Sequence, residues 1–173
     1  TMSITPDTKD WTWVLESRCP ECGFDSSTLF EGDVAGLLRA NVVQWPAILE
    51  RASVRDRPDE QTWSALEYAA HVRDVFRTFS HRLDLMLSTD SPTYPNWDQD
   101  ETAATENYNA QDPSVVAGEL VTAGNALAEA FESVPEDGWV REGRRGDGAV
   151  FTVATMARYV AHDPIHHLWD VTK

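Results

Sequence analysis

Three of the five histidines in this chain fall within six residues near its C-terminal end, His162-Asp163-Pro164-Ile165-His166-His167. Residues four apart on a helix stack on one face, so His162 with His166, and Asp163 with His167, are each spaced to chelate a metal ion. A third ligand has to come from another element. His71 is the natural candidate, because it lies at the margin of an apolar stripe just beyond a strong helix start, whereas His81 sits nearly three turns further along. Two plainer readings compete. A solvated histidine cluster at a helix C-terminus would be favoured by the helix dipole. Asp163-Pro164 could instead be an N-cap and first turn, splitting the segment into two helices. The protease pattern His-Glu-x-x-His fails, since Asp163 stands where the glutamate base belongs and six residues after His167 are too few to bring a further ligand.

The two cysteines form Cys19-Pro20-Glu21-Cys22-Gly23. A structural zinc site built from four cysteines needs two more thiols than the chain has. A thioredoxin-like redox pair belongs at a strand-to-helix junction, and nothing strand-rich follows. The favoured reading is a pair of reduced or buried thiols in an N-terminal segment that wraps the rest through Trp11, Trp13 and Phe24. Zinc shared with a histidine of the helices, or between two chains, stays open.

The elements that must position these groups are helices. From Asp33, an N-cap candidate, the positions Val34, Leu37, Leu38, Val42, Trp45, Ile48 and Leu49 share one face. Pro46 inside this run should kink it. Ser64-Ala65-Leu66-Glu67 reads as a capping box, with Trp63 able to staple onto Tyr68. Leu66, Ala69, Val72, Phe76, Phe79, Leu83 and Met86 continue that helix. Asp112-Pro113 opens a third, carried by Val116, Leu120, Ala123, Leu127, Ala130 and Val134. Thr152 can cap a fourth, whose inward stripe is Val153, Met156, Val160, then Asp163 or Pro164, then His167 and Val171. Four such helices, near 33–52, 64–88, 113–134 and 152–171, predict an all-α four-helix bundle over 33–173, preceded by an irregular extension over 1–32. The long acidic stretch Thr89–Gln111 reads as a crossover, a site lid or a disordered segment. The Trp139–Gly148 connection carries three arginines and ends in a Gly-Asp-Gly turn.

At 173 residues, one domain is expected. The net charge of −15 opposes binding to phosphate backbones, so no nucleic-acid partner is expected. No apolar run approaches a membrane span, and the start Thr1-Met2-Ser3-Ile4-Thr5 lacks a basic-then-apolar leader. Met2 reads as the natural first residue, and a cytoplasmic protein is expected.

Trp63-Ser64-Ala65-Leu66-Glu67-Tyr68-Ala69-Ala70-His71 and His166-His167-Leu168-Trp169-Asp170-Val171 resemble the second and last helices of the DinB-like superfamily. That superfamily includes bacillithiol S-transferases and mycothiol-dependent maleylpyruvate isomerases. The resemblance implies a four-helix bundle holding one divalent metal, zinc first and nickel or iron as alternatives. Its ligands would be a residue of the second helix and an i, i+4 pair of the last. Members commonly read His-x-x-His-His, and this chain is one residue longer. Anchoring on the last histidine and on Val171 makes Asp163 and His167 the pair, a carboxylate being what the mycothiol-dependent isomerases resemble. Periodicity places the same two on the inward stripe, with His162 and His166 turned ~100° or more away. The expected ligands are therefore His71, Asp163 and His167, with His162 and His166 as the alternative pair or as supporting residues. The implied activity is a thiol S-transferase or thiol-dependent isomerase. It would join a low-molecular-weight thiol such as mycothiol to an electrophile, in a chain that could be a homodimer. A metal-binding interaction module without catalysis, or a metal-dependent hydrolase, are the alternatives. An enzyme should have a lined pocket at the metal, built by Thr89–Gln111 and Arg141–Arg145.

Overall fold

The computed structural model describes residues 10–173. Residues 1–9, the start of the expected extension, lie outside the described residues. Six α-helices and three short strands follow in the order α1 (Val34–Val42), α2 (Trp45–Leu49), α3 (Ala65–Ser88), β1 (Thr93–Tyr94), α4 (Gln99–Thr105), α5 (Pro113–Glu132), β2 (Glu142–Arg145), β3 (Val150–Thr152) and α6 (Val153–Thr172). The first helix of the bundle is α1 with α2, and α3, α5 and α6 are the other three. Helix α3 packs along α5 and α6, and α1 packs against the same two.

The helix starts follow from local chemistry. The Ser64 hydroxyl accepts from the Glu67 amide at 3.2 Å, while the Glu67 carboxylate accepts from the Ser64 amide at 3.1 Å. Arg57 donates to both oxygens of that carboxylate, which offsets the burial of Glu67. Trp63 meets Tyr68 edge-on with ring centroids 5.5 Å apart, completing the staple. Asp112 accepts from the Ser114 amide ahead of Pro113, and Thr152 from the Thr155 amide.

Two starts differ from expectation. Asp33 makes no capping bond, because the 3-10 turn Glu31–Asp33 runs directly into α1 and satisfies the orphan amides with main-chain carbonyls. The kink expected at Pro46 is a break at Val43–Gln44 instead. Pro46 then falls in the first turn of α2, where its missing amide costs nothing. Helix α6, by contrast, runs unbroken through Pro164. The split at Asp163-Pro164 does not occur.

The sheet was not legible as strands. β2 and β3 form the hairpin closed by the Gly-Asp-Gly turn, paired antiparallel with Glu142 opposite Thr152, and β1 joins β2 in parallel with Thr93 opposite Arg144. Gly143 is required where β2 crosses α3, since an added Cβ would lie 2.8 Å from Met86 Cγ and 2.9 Å from Tyr94 Cε1. Strands of two to four residues, Thr-Tyr, Glu-Gly-Arg-Arg and Val-Phe-Thr, are too short to show an apolar alternation, so only the turn residues mark them. This sheet places Arg145 beside α6, and β3 leads straight into the Thr152 cap.

The N-terminal segment shares the core. Val14, Cys19 and Phe24 are buried in one apolar cluster with α1, α3, α5 and α6. No helix among the described residues is long and apolar enough to cross a membrane.

Candidate metal centre

His71 projects from the second turn of α3 and is fully buried. Asp163 and His167 project from α6, one turn apart. Asp163 Oδ1 lies 3.1 Å from His71 Nε2 and 3.2 Å from His167 Nε2. The donor atoms of all three side chains fall within 4.8 Å of one another. Two imidazole nitrogens thus converge on one carboxylate oxygen in a nearly dry setting, which is tolerable only if a proton or a cation lies between them.

The supporting contacts select which nitrogen faces inward. Asp170 Oδ2 sits 3.0 Å from His167 Nδ1, so it accepts the Nδ1 proton and leaves Nε2 facing Asp163. That is the carboxylate–histidine arrangement that orients metal-ligating imidazoles. Trp97 stacks flat on His71, with ring centroids 5.4 Å apart and planes 6° from parallel. Tyr68 and Trp63 flank His167 and His71 respectively. Burial presses the His167 imidazole toward neutrality. Hydrogen bonds to Asp163 and Asp170, with the charge of both carboxylates, outweigh it and hold its pKa up at about 9. Burial likewise works against ionised Asp163, and the adjoining His71 and His167 overcome it, keeping its carboxyl well below the usual range. A buried anionic oxygen between two imidazoles is a donor set that fits a divalent ion.

The centre opens on a pocket of about 540 Å³. Asp163 lies in its wall. The expected contributors are present, Asn96, Trp97 and Asp98 from the long acidic stretch and Arg145 from the hairpin, and Asp147 of the hairpin turn joins them. The stretch is ordered, with α4 capped by Asp98 and the Trp97 indole donating to Thr102 Oγ1 at 2.8 Å. Two cations among the described residues line the pocket. Arg145 is engaged with Asp147 and Asp10. Arg82 lies over the Tyr94 and Phe79 rings and donates to the Pro95 carbonyl.

The other α6 pair takes a different place. His162 and His166 face the N-terminal segment, away from His71. Both are buried, and the solvated-cluster reading fails with them. Burial, with the neighbouring His166, drives the His162 pKa down to about 4. His81 is exposed, ten residues along α3 from His71, and belongs to neither group.

A family model described as the DinB superfamily matches residues 37–171. The chain belongs to the DinB superfamily. The chain is similar to YfiT from Bacillus subtilis, described as a probable metal-dependent hydrolase with an unusual four-helix bundle topology. That match has a TM-score of 0.64 and 16% identity, and covers 98% of this chain and 92% of YfiT. Comparison with curated proteins finds no match. The bundle expected from the sequence is therefore the fold of the chain.

Several residues around this cluster were not expected from the sequence. Asp170 was detectable, since it stands three residues after His167 and four after His166. Arg82 and Tyr159 carry no such signal, because only the fold brings them to the pocket, whereas Trp97 lies in the acidic stretch expected to line it.

Proposed function

We propose that this DinB-superfamily chain is a metal-dependent enzyme that activates a low-molecular-weight thiol, mycothiol being the candidate implied by its sequence resemblance, for attack on an electrophilic carbon. The observation that carries this reading is the convergence of His71, Asp163 and His167, with Asp163 in the wall of a 540 Å³ pocket. Three protein donors leave coordination positions free, as catalytic rather than structural sites do. A divalent ion held there supplies a Lewis acid that lowers the pKa of a bound thiol or water. Zinc suits this donor set, and nickel and iron share it.

The chain's own groups do the rest. Asp170 fixes the His167 tautomer, and Trp97 holds the His71 ring flat. Trp11 and Trp97 exclude water from one side of the pocket. Arg82, which lines the pocket and donates to the Pro95 carbonyl, receives an anionic group of the electrophile. The thiol gives its proton to solvent, its sulfur bonds to carbon, and the leaving group departs with the broken bond's electron pair, or a double bond isomerises when the thiol is later released. Small molecules are the partners of such a site, and the −15 charge supports leaving nucleic acid out.

Hydrolysis is the second reading, favoured by the likeness to YfiT, with water in place of the thiol. A panel of thiols with a generic electrophile, run beside ester and amide substrates before and after chelation, separates the two. The expected result is chelator-sensitive thiol consumption with a preference among the thiols. Chelator-sensitive ester or amide cleavage with no thiol consumption would give the site to hydrolysis, and no metal-dependent turnover of either kind would leave a binding module.

A further inference from the structure

We infer that Cys19, Cys22, His162 and His166 form a second metal site, a closed tetrahedral zinc centre that fastens the N-terminal segment to α6. The proposal is independent of the reading of the first centre.

The four side chains come from a C-x-x-C turn and an H-x-x-x-H pair, the spacing of zinc sites that use two cysteines and two histidines. The turn is built to present both sulfurs together. The Gly23 amide donates to the Cys19 carbonyl at 3.0 Å, and the Cys19 amide to the Phe24 carbonyl at 2.8 Å. Gly23 closes the turn at φ +79°, a conformation that favours glycine. Across from it, one turn of α6 places His162 and His166 on the same face. Cys19 Sγ lies 3.6 Å from His166 Nδ1, and the four donor atoms lie within 4.8 Å of one another. Metal bonds of about 2.0–2.3 Å in a tetrahedron set donor–donor edges of roughly 3.3–3.8 Å, so the Cys19–His166 edge already has that length.

A second observation points to a missing ligand. Both ring nitrogens of His162 are buried without a hydrogen-bond partner, and the residue is 1% exposed. Leaving two polar nitrogens dry is costly, and a metal bond removes one of the two orphans. Cys19 is equally buried, at 1%. Neither cysteine is in a disulfide. Two thiolates neutralise a Zn²⁺ ion, so the closed site carries no net charge into the core. Binding releases the two thiol protons to solvent. Soft sulfur paired with imidazole in four-fold coordination selects zinc over the hard divalent ions.

The consequence reaches the first centre. Trp11 lies against His162, His166 and His167, with ring centroids 4.6, 4.9 and 5.5 Å away, and it also lines the pocket. Fixing the segment on α6 therefore fixes one pocket wall.

Cobalt substitution of the full chain, prepared reduced, tests the proposal. The wild type should bind two equivalents and show thiolate-to-cobalt charge-transfer absorption. Cys19→Ser/Cys22→Ser should bind one equivalent without that absorption, whereas His71→Ala should keep it, so the two centres fail separately. If the double variant does not fold, thiol titration of the native wild-type zinc protein decides. Both thiols should be protected until a chelator is added and reactive afterwards. Absence of the charge-transfer absorption in the wild type, thiols that react at full rate before chelation, or no reactive thiol even after it would each overturn the second site.

Discussion

Replacing His71 with alanine is expected to abolish tight metal binding at the His71–Asp163–His167 centre while the bundle stays folded. His71 is the only one of the three donors that is not on α6, so its loss leaves a two-donor pair on one helix. Losing even an outer-sphere partner costs roughly 10–100-fold in affinity, and a direct ligand should cost at least ~100-fold. The fold should survive because α3 is held by Leu66, Ala69, Val72, Phe76 and Leu83, all buried, and by its capping box. Competition titration against a chromophoric chelator measures the affinity, with far-ultraviolet circular dichroism as the control. A folded His71→Ala protein that keeps wild-type affinity at this centre would remove His71 from the ligand set.

The pH dependence of the metal-free protein should have two limbs. Burial holds His162 near a pKa of about 4, below its unfolded value near 6.5, so the native state binds fewer protons there. This group's stabilising contribution is present above pH 6.5 and is lost as pH falls through 4. His167 is the opposite case, raised to about 9 despite its burial. Its contribution is full below pH 6.5 and is lost as pH rises through 9. The chelated protein should therefore unfold at the highest temperature near pH 6.5 and lose stability on both sides. Adding the divalent ion should remove the alkaline limb, because the ion replaces the His167 proton. The same exchange makes apparent affinity rise as pH climbs from 7 toward 9, approaching about tenfold per unit. Thermal melts across pH 4–10, with and without metal, check both limbs. A chelated protein whose stability keeps rising from pH 6.5 to 9 would contradict the charged His167–Asp163–Asp170 cluster.

Much of this was legible because it depends on local chemistry. The Ser64–Glu67 box, the Asp112-Pro113 start and the Thr152 cap lie within a turn of the residues they serve, and the helix boundaries fall within two residues or so of expectation except at α1 and α2. The helical period set Asp163 and His167 on the inward stripe apart from His162 and His166, and the structure places the two pairs in different surroundings. What could not be read depends on distant contacts. The β2–β3 hairpin is held by β1, about fifty residues earlier, and lacks apolar alternation. The nearness of Cys19 to His166 spans 147 residues and follows from how the N-terminal segment lies on α6. Arg82 reads as one more helix-surface cation until the hairpin and the acidic stretch close around it.

Crystals of the zinc-loaded protein, with diffraction recorded on both sides of the zinc absorption edge, test the central claim most directly. An anomalous peak is predicted about 2.0–2.2 Å from His71 Nε2, His167 Nε2 and a carboxylate oxygen of Asp163, with density for a non-protein ligand on the pocket side. Zinc located elsewhere in the chain, with no anomalous density among these three side chains, would contradict it.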